Sequence, residues 1–184
     1  MDADTILDSA LAVSAEHGWG RATFTDIGAH AECSLADIYR HFPSKCALAT
    51  AAVARIDAAV LAETEPNGEM SFRDRLFDLL MRRYDALKPH RRAIEALWRE
   101  LPRNPWAGAP LAPALARSMA WMLEAAGAPP RLPFGLLRVK LLAGIHLSVM
   151  RVWLRDDSED LGQTMARLDK ALKRWGPVLE GRRR

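Results

Sequence analysis

The side chains best suited to acid–base or metal chemistry are dispersed along this sequence. His17, His30, His41, His90 and His146 form no i, i+3 or i, i+4 pair, and neither Cys33 nor Cys46 stands in a Cys-x-x-Cys. Those are the spacings that bring two ligands to one metal. No glycine-rich phosphate loop and no nucleophile elbow occurs. An enzyme, a metal site and a cofactor are therefore not expected. What is concentrated is a set of polar residues at helix-start spacing. Thr23 precedes Asp26 by three residues, and Ser34 precedes Asp37 by three. In each pair the hydroxyl can accept the amide at the third helical position, while the carboxylate reaches back to the cap amide. Just beyond lie Tyr39, His41 and Lys45.

The elements that must position these residues read as helices throughout. No Asn-Gly or Asp-Gly hairpin signal and no alternating β-branched run appears, and apolar residues recur at helical spacing. A first helix spans 4–17 and is closed by Gly18, where a left-handed cap is expected. Short helices follow, Phe24 to His30 and one capped by Ser34 that stops at Pro43-Ser44. Longer ones follow at about 45–64, 71–87, 90–101, 111–126, 133–155 and 159–175, with prolines as stops. The segment 102–113 is expected to be an ordered connection.

The 184 residues, 49% hydrophobic, with a mean hydropathy of −0.12, suit a soluble globular protein with a substantial core. The longest stretch free of Asp, Glu, Lys and Arg runs from Asn104 to Ala116 and holds three prolines, well short of the roughly 20 apolar residues of a membrane span. Residues 1–20 have no basic segment followed by an apolar one, so no signal peptide is expected. Two cysteines are too few for a disulfide scaffold, and reduced thiols in a cytoplasm are expected. The net charge of +3 is unevenly spread: residues 1–45 carry three basic and seven acidic side chains, a net of −4.

Two short capped helices separated by Ala31-Glu32-Cys33, behind a longer helix, have the layout of a helix-turn-helix. The string Ile6-Leu7-Asp8-Ser9-Ala10-Leu11, then Gly18-Trp19, Thr23, Asp26-Ile27, Ala31, Ser34, Tyr39-Arg40-His41-Phe42-Pro43-Ser44-Lys45 and Leu48 resembles the N-terminal domain of the TetR family of bacterial regulators. The resemblance implies an all-α, TetR-like fold of about nine helices. A helix-turn-helix DNA-binding head over 1–48 would precede a helical effector-binding and dimerisation body over 49–184. It implies a homodimeric transcriptional regulator that binds double-stranded operator DNA and responds to a small apolar effector. Position by position, Thr25, Tyr39, His41 and Lys45 would contact phosphates. Ser34, Leu35, Ala36 and Asp37 would face base edges or the groove wall, and Leu7, Leu11, Ile27, Ile38 and Phe42 would be core. Alternatively Tyr39 packs with its hydroxyl in water and His41 sits at a core edge; Thr23 and Ser34 are caps first. The chain departs from the family pattern where Ala31-Glu32-Cys33 replaces Ala-Gly-Val, which requires strain or an unusual backbone angle at Glu32. It departs again at Leu35, a position often basic or polar. Residues 22–39 hold no Lys or Arg and three acids.

In the body, the helix 133–155 is apolar on most faces and should be buried on both sides. The last helix carries Leu161, Met165, Leu168, Leu172, Trp175 and Leu179 at alternating spacings of four and three, the pattern of a packed seam. On the TetR reading these two helices form the dimer interface through Leu141, Ile145, Val149, Leu161, Met165, Leu168 and Leu172. His146 reads as a satisfied buried or interface histidine. Met81, Tyr84, Leu87, Trp98, Leu101, Met119, Trp121 and Met122 are candidates to line an effector pocket, with ordinary core as the alternative. The run Trp153 to Asp160, with Thr164, Leu168 and Asp169, resembles a TetR-fold, lipid-binding family of coenzyme Q biosynthesis. That resemblance implies an alternative function: a lipid- or isoprenoid-binding accessory protein without DNA binding, touching membranes through its basic last helix.

Overall fold

The computed structural model describes residues 2–64, 70–102, 111–131 and 133–181. These form α1 (Ala3–His17), α2 (Phe24–His30), α3 (Leu35–His41), α4 (Lys45–Ala62), α5 (Phe72–Leu87), α6 (Arg91–Glu100), α7 (Leu111–Ala125), α8 (Gly135–Trp153) and α9 (Gly162–Glu180), with a 3-10 turn at Lys88–His90 before α6. No strand occurs among the described residues, and the all-α reading holds. Most of the connection expected over 102–113 lies outside the described residues.

The chain divides into two compact units, one of residues 1–55 with 88–114 and the other of 56–87 with 115–184. The boundary falls inside α4. In the first unit α1, α2 and α3 enclose a core of Ile6, Leu7, Ala10, Val13, Ile27, Ile38, Phe42 and Leu48. Leu11 is only half-buried. The inner stripe of α1 runs 6, 7, 10, 13, and this turns position 11 toward the rim. Helix α6 packs on α1, and the Gly20 amide donates to Glu100 Oε2 at 2.8 Å. Gly18 ends α1 at φ +85°, ψ +148°. That is positive φ but not the left-handed helical turn expected; it is a conformation essentially reserved for glycine.

In the second unit α5 and α8 both pack on α9. The inner face of α5 is Leu76, Leu79, Leu80, Arg83, Tyr84 and Leu87, a helical stripe with one cation set into it. That cation, Arg83, pairs with Asp57 of α4, and Ser118 Oγ of α7 donates to the same carboxylate at 2.7 Å. Helix α9 begins at Gly162, later than the expected residue 159, and continues to Glu180 through Pro177. Its start is organised by Asp156, wholly buried, which accepts from the Thr164 amide at 2.8 Å, Thr164 Oγ1 at 2.7 Å and Ser158 Oγ at 2.5 Å. Burial alone would raise this carboxyl; the Ser158 and Thr164 hydrogen bonds outweigh it and hold the pKa at about 2. The Asp156–Thr164 run is thus a capping device.

Candidate nucleic-acid interface

Helix α2 starts with a complete capping box. The Asp26 amide donates to Thr23 Oγ1 at 3.1 Å, and the Thr23 amide donates to Asp26 Oδ2 at 2.9 Å. Helix α3 repeats the arrangement, with the Asp37 amide on Ser34 Oγ at 3.1 Å and the Ser34 amide on Asp37 Oδ2 at 3.2 Å. Hydrogen bonds from the Thr23 and Ser34 hydroxyls, then from their amides, hold both carboxyls below the usual carboxylate range. Both are therefore anionic at neutral pH. Two helices of seven residues each have little stability of their own, so these caps matter to whether they form.

The turn between them is a Schellman motif. The Cys33 amide donates to the Gly28 carbonyl at 2.9 Å and the Glu32 amide to Ala29 at 3.4 Å. Glu32 carries the left-handed residue at φ +52°, the unusual angle required by a non-glycine there. A Cβ at Gly28 would lie 3.0 Å from the Cys33 carbonyl oxygen and 3.4 Å from Ile38 Cδ1. Glycine therefore lets α2 and α3 approach closely.

This frame turns Ile38 and Phe42 inward and leaves Leu35, Ala36, Tyr39 and Arg40 outward. Leu35 is 55% and Tyr39 72% exposed. Thr25, Ser34 and His41 are also exposed, so His41 is not a core-edge residue. Thr25, Cys33, Ser34 and Leu35 border one open groove with Glu32 and Asp37. Lys45 departs from its expected place. Its Nζ donates to the carbonyls of Trp19 at 2.7 Å and Gly20 at 3.2 Å and lies over the Trp19 ring. Burial lowers its pKa, opposed by Glu100. Two of its three donors hold the α1–α2 turn, so a phosphate contact is left with one. Arg40, to which the resemblance assigns no role, stands four residues after Ala36 on the outward face. It pairs with Asp37 at 3.3 Å and stays 69% exposed.

The body residues separate into two groups. Tyr84, Met119 and Met122 are fully buried in the second unit and Met81 is half-buried there. Trp121 is 52% exposed, because α7 buries 118, 119, 122 and 123 and so turns 121 away. Trp98 and Leu101 belong to the first unit. Tyr84 Oη lies 3.0 Å from His146 Nδ1 and donates to the His146 carbonyl at 3.2 Å. Burial, then the Arg83 charge, pushes the His146 pKa down to about 3, and burial raises the Tyr84 hydroxyl. Both stay neutral in the folded chain.

Of the residues expected at a dimer interface, Ile145, Val149, Leu161, Leu168 and Leu172 are buried within their own chain. Leu141 and Met165 are half-buried, and Met165 borders a groove with Arg73 and Phe77 of α5. The stripe of α9 is thus a seam, as its spacing implies, but its partners are α5 and α8 of the same chain. The same burial removes the stripe from any membrane surface. Helix α8 is not covered all round: Leu136, Leu137 and Leu147 are 58%, 60% and 41% exposed. No helix among the described residues is long and apolar enough to cross a membrane. The basic end Arg182–Arg184 lies outside the described residues.

The family of bacterial regulatory proteins described as the tetR family matches residues 6–52. A TetR transcriptional regulator from Nitrosomonas europaea is similar at 28% identity and a TM-score of 0.72, covering 93% of this chain and 95% of that one. A TetR regulator from Streptomyces coelicolor shares the fold at 17% identity and a TM-score of 0.63, covering 100% of both chains, as does a TetR-family regulator from Rhodococcus at 18% identity and 0.64, covering 96% of this chain and 97% of that one. No curated protein matches the chain. Residues 6–52 thus match a tetR-type helix-turn-helix, and the chain as a whole has the fold of TetR regulators.

Proposed function

We propose that this protein is a cytoplasmic regulator that binds operator DNA as a homodimer and changes its DNA affinity when a small apolar effector enters the second unit. The observation that carries this reading is the outward face of α3. Its leading residues stand clear of the fold on a helix held by a capping box and a close glycine contact. A helix so presented, with a second one braced behind it, has the form that enters a major groove. Leu35 and Ala36 face base edges, with Ser34 at the groove wall. Thr25, Tyr39, His41 and Arg40 reach phosphates, and Lys45 holds the turn and lends its remaining donor.

Two chains would pair through α8, since a palindromic site requires two heads. Leu136, Leu137 and Leu147 lie on the outward face of α8, with Gly144 between them, where an added Cβ would meet open space. A second copy of this helix can approach closely there. The effector is expected among Met81, Tyr84, Met119 and Met122, beside the Tyr84–His146 pair. Selection of bound sequences from a random duplex pool, followed by gel shifts at several salt concentrations, tests the function. Enrichment of one palindromic sequence is the expected result. Uniform recovery of the pool would overturn it.

A further inference from the structure

The polar groups at the leading end of α3 are already engaged with one another. Ser34 Oγ donates to Asp37 Oδ2 at 2.6 Å and accepts the Asp37 amide. The same carboxylate oxygen accepts the Ser34 amide, and the other, Oδ1, lies 3.3 Å from Arg40 Nη1. At the start of α2, Thr23 and Asp26 are closed on each other in the same way. The groups that remain outward at the front of the helix are hydrocarbon: the Leu35 side chain, 55% exposed, and the Ala36 methyl.

A single exposed leucine on a surface needs no explanation. Here it stands where a helix-turn-helix meets base edges, and the polar side chains beside it at the front of α3, Ser34 and Asp37, are engaged with each other. A guanine presents two acceptors in the major groove and would face the Asp37 and Glu32 carboxylates. A thymine presents a C5-methyl group, which an aliphatic side chain covers with gain. We infer that Leu35 and Ala36 read thymine methyl groups, so that each operator half-site carries thymine where the front of α3 touches it. This rests on the reading of the head as a DNA-binding unit and names what that unit recognises.

The test uses the full-length protein and the duplex recovered by random-pool selection. Each thymine of the half-site is replaced in turn by deoxyuridine, which removes only the methyl. Affinity is read by fluorescence anisotropy. One or two positions per half-site should lose roughly 3- to 10-fold, the size of one buried methyl group. Leu35→Ala should show a loss of that order on the thymine duplex and little further loss on the deoxyuridine duplex. A selected duplex that tolerates deoxyuridine everywhere would overturn the methyl reading and leave DNA binding standing. So would Leu35→Ala weakening both duplexes while the thymine-to-deoxyuridine difference persists. If selection enriches no sequence, the DNA-binding reading fails first and takes this inference with it.

Discussion

Glu32 holds a conformation, φ +52°, that strains every residue with a Cβ and leaves glycine untouched. Replacing it with glycine removes that strain and returns part of the gain to a more flexible unfolded chain. Glu32→Gly should stabilise the head by roughly 0.5–1 kcal/mol, read as a higher melting temperature. Losing one anion beside the groove should also tighten binding to any duplex. A lower melting temperature would contradict the strain assigned to this turn. His146 supplies a second prediction at this scale. Its folded pKa is about 3, below the ordinary histidine value near 6.5, so between those values the unfolded chain takes up a proton that the folded chain refuses. Stability is then full above about pH 6.5 and falls as pH drops toward 3. Melting temperatures between pH 7.5 and 5 should decline, and His146→Gln should flatten that decline while lowering stability overall. An unchanged slope would assign the decline to other groups. Asp156 acts in a lower window: its depressed carboxyl contributes in full above about pH 4 and is lost as pH falls toward 2.

The pair α2–α3 depends on what fits between its two helices. A Cβ at Gly28 would already sit 3.0 Å from a backbone oxygen, and the branched side chain of Gly28→Val would force the helices apart. A loss of about 1–3 kcal/mol, the usual penalty of overpacking, should fall on the head, with operator binding abolished before the second unit melts. Retained DNA binding would show that α3 does not need this spacing. The caps of α2 and α3 were legible in the sequence because a capping box joins residues three apart. The role of Lys45 was not, since its acceptors, Trp19 and Gly20, lie more than twenty residues earlier and meet it only in the folded head. Periodicity showed that α9 carries a packed seam but cannot say which helix fills it. The structure turns Leu161, Leu168, Leu172 and Leu179 onto the same chain, so Leu172→Glu would break the core. Arg83 lay in plain view within the inward register of α5, but its partners Asp57 and Ser118 come from α4 and α7.

For the whole molecule, the outward leucines of α8 and the acidic head carry the remaining expectations. Leu137→Asp puts a charge into the proposed contact between copies without touching the core. It should convert the dimer to monomers in sedimentation and weaken operator binding by at least about 100-fold, the loss expected when two linked sites act singly. Unaltered sedimentation would move the contact elsewhere. The first 45 residues carry a net charge of −4, and each phosphate contact adds about 0.9 to the salt slope. With Arg40 exposed and Lys45 largely committed, only a few phosphates per head can be neutralised. Non-specific binding should therefore be weak, and discrimination should rest on base contacts. The most direct measurement is an anisotropy titration of the selected duplex and of its scrambled counterpart across a range of salt concentrations. Two chains per palindromic duplex are predicted, with a slope of log affinity against log salt of about −2 to −4 and at least about a thousandfold preference over scrambled DNA. Equal affinity for the two duplexes, or one chain bound per duplex, would contradict the account.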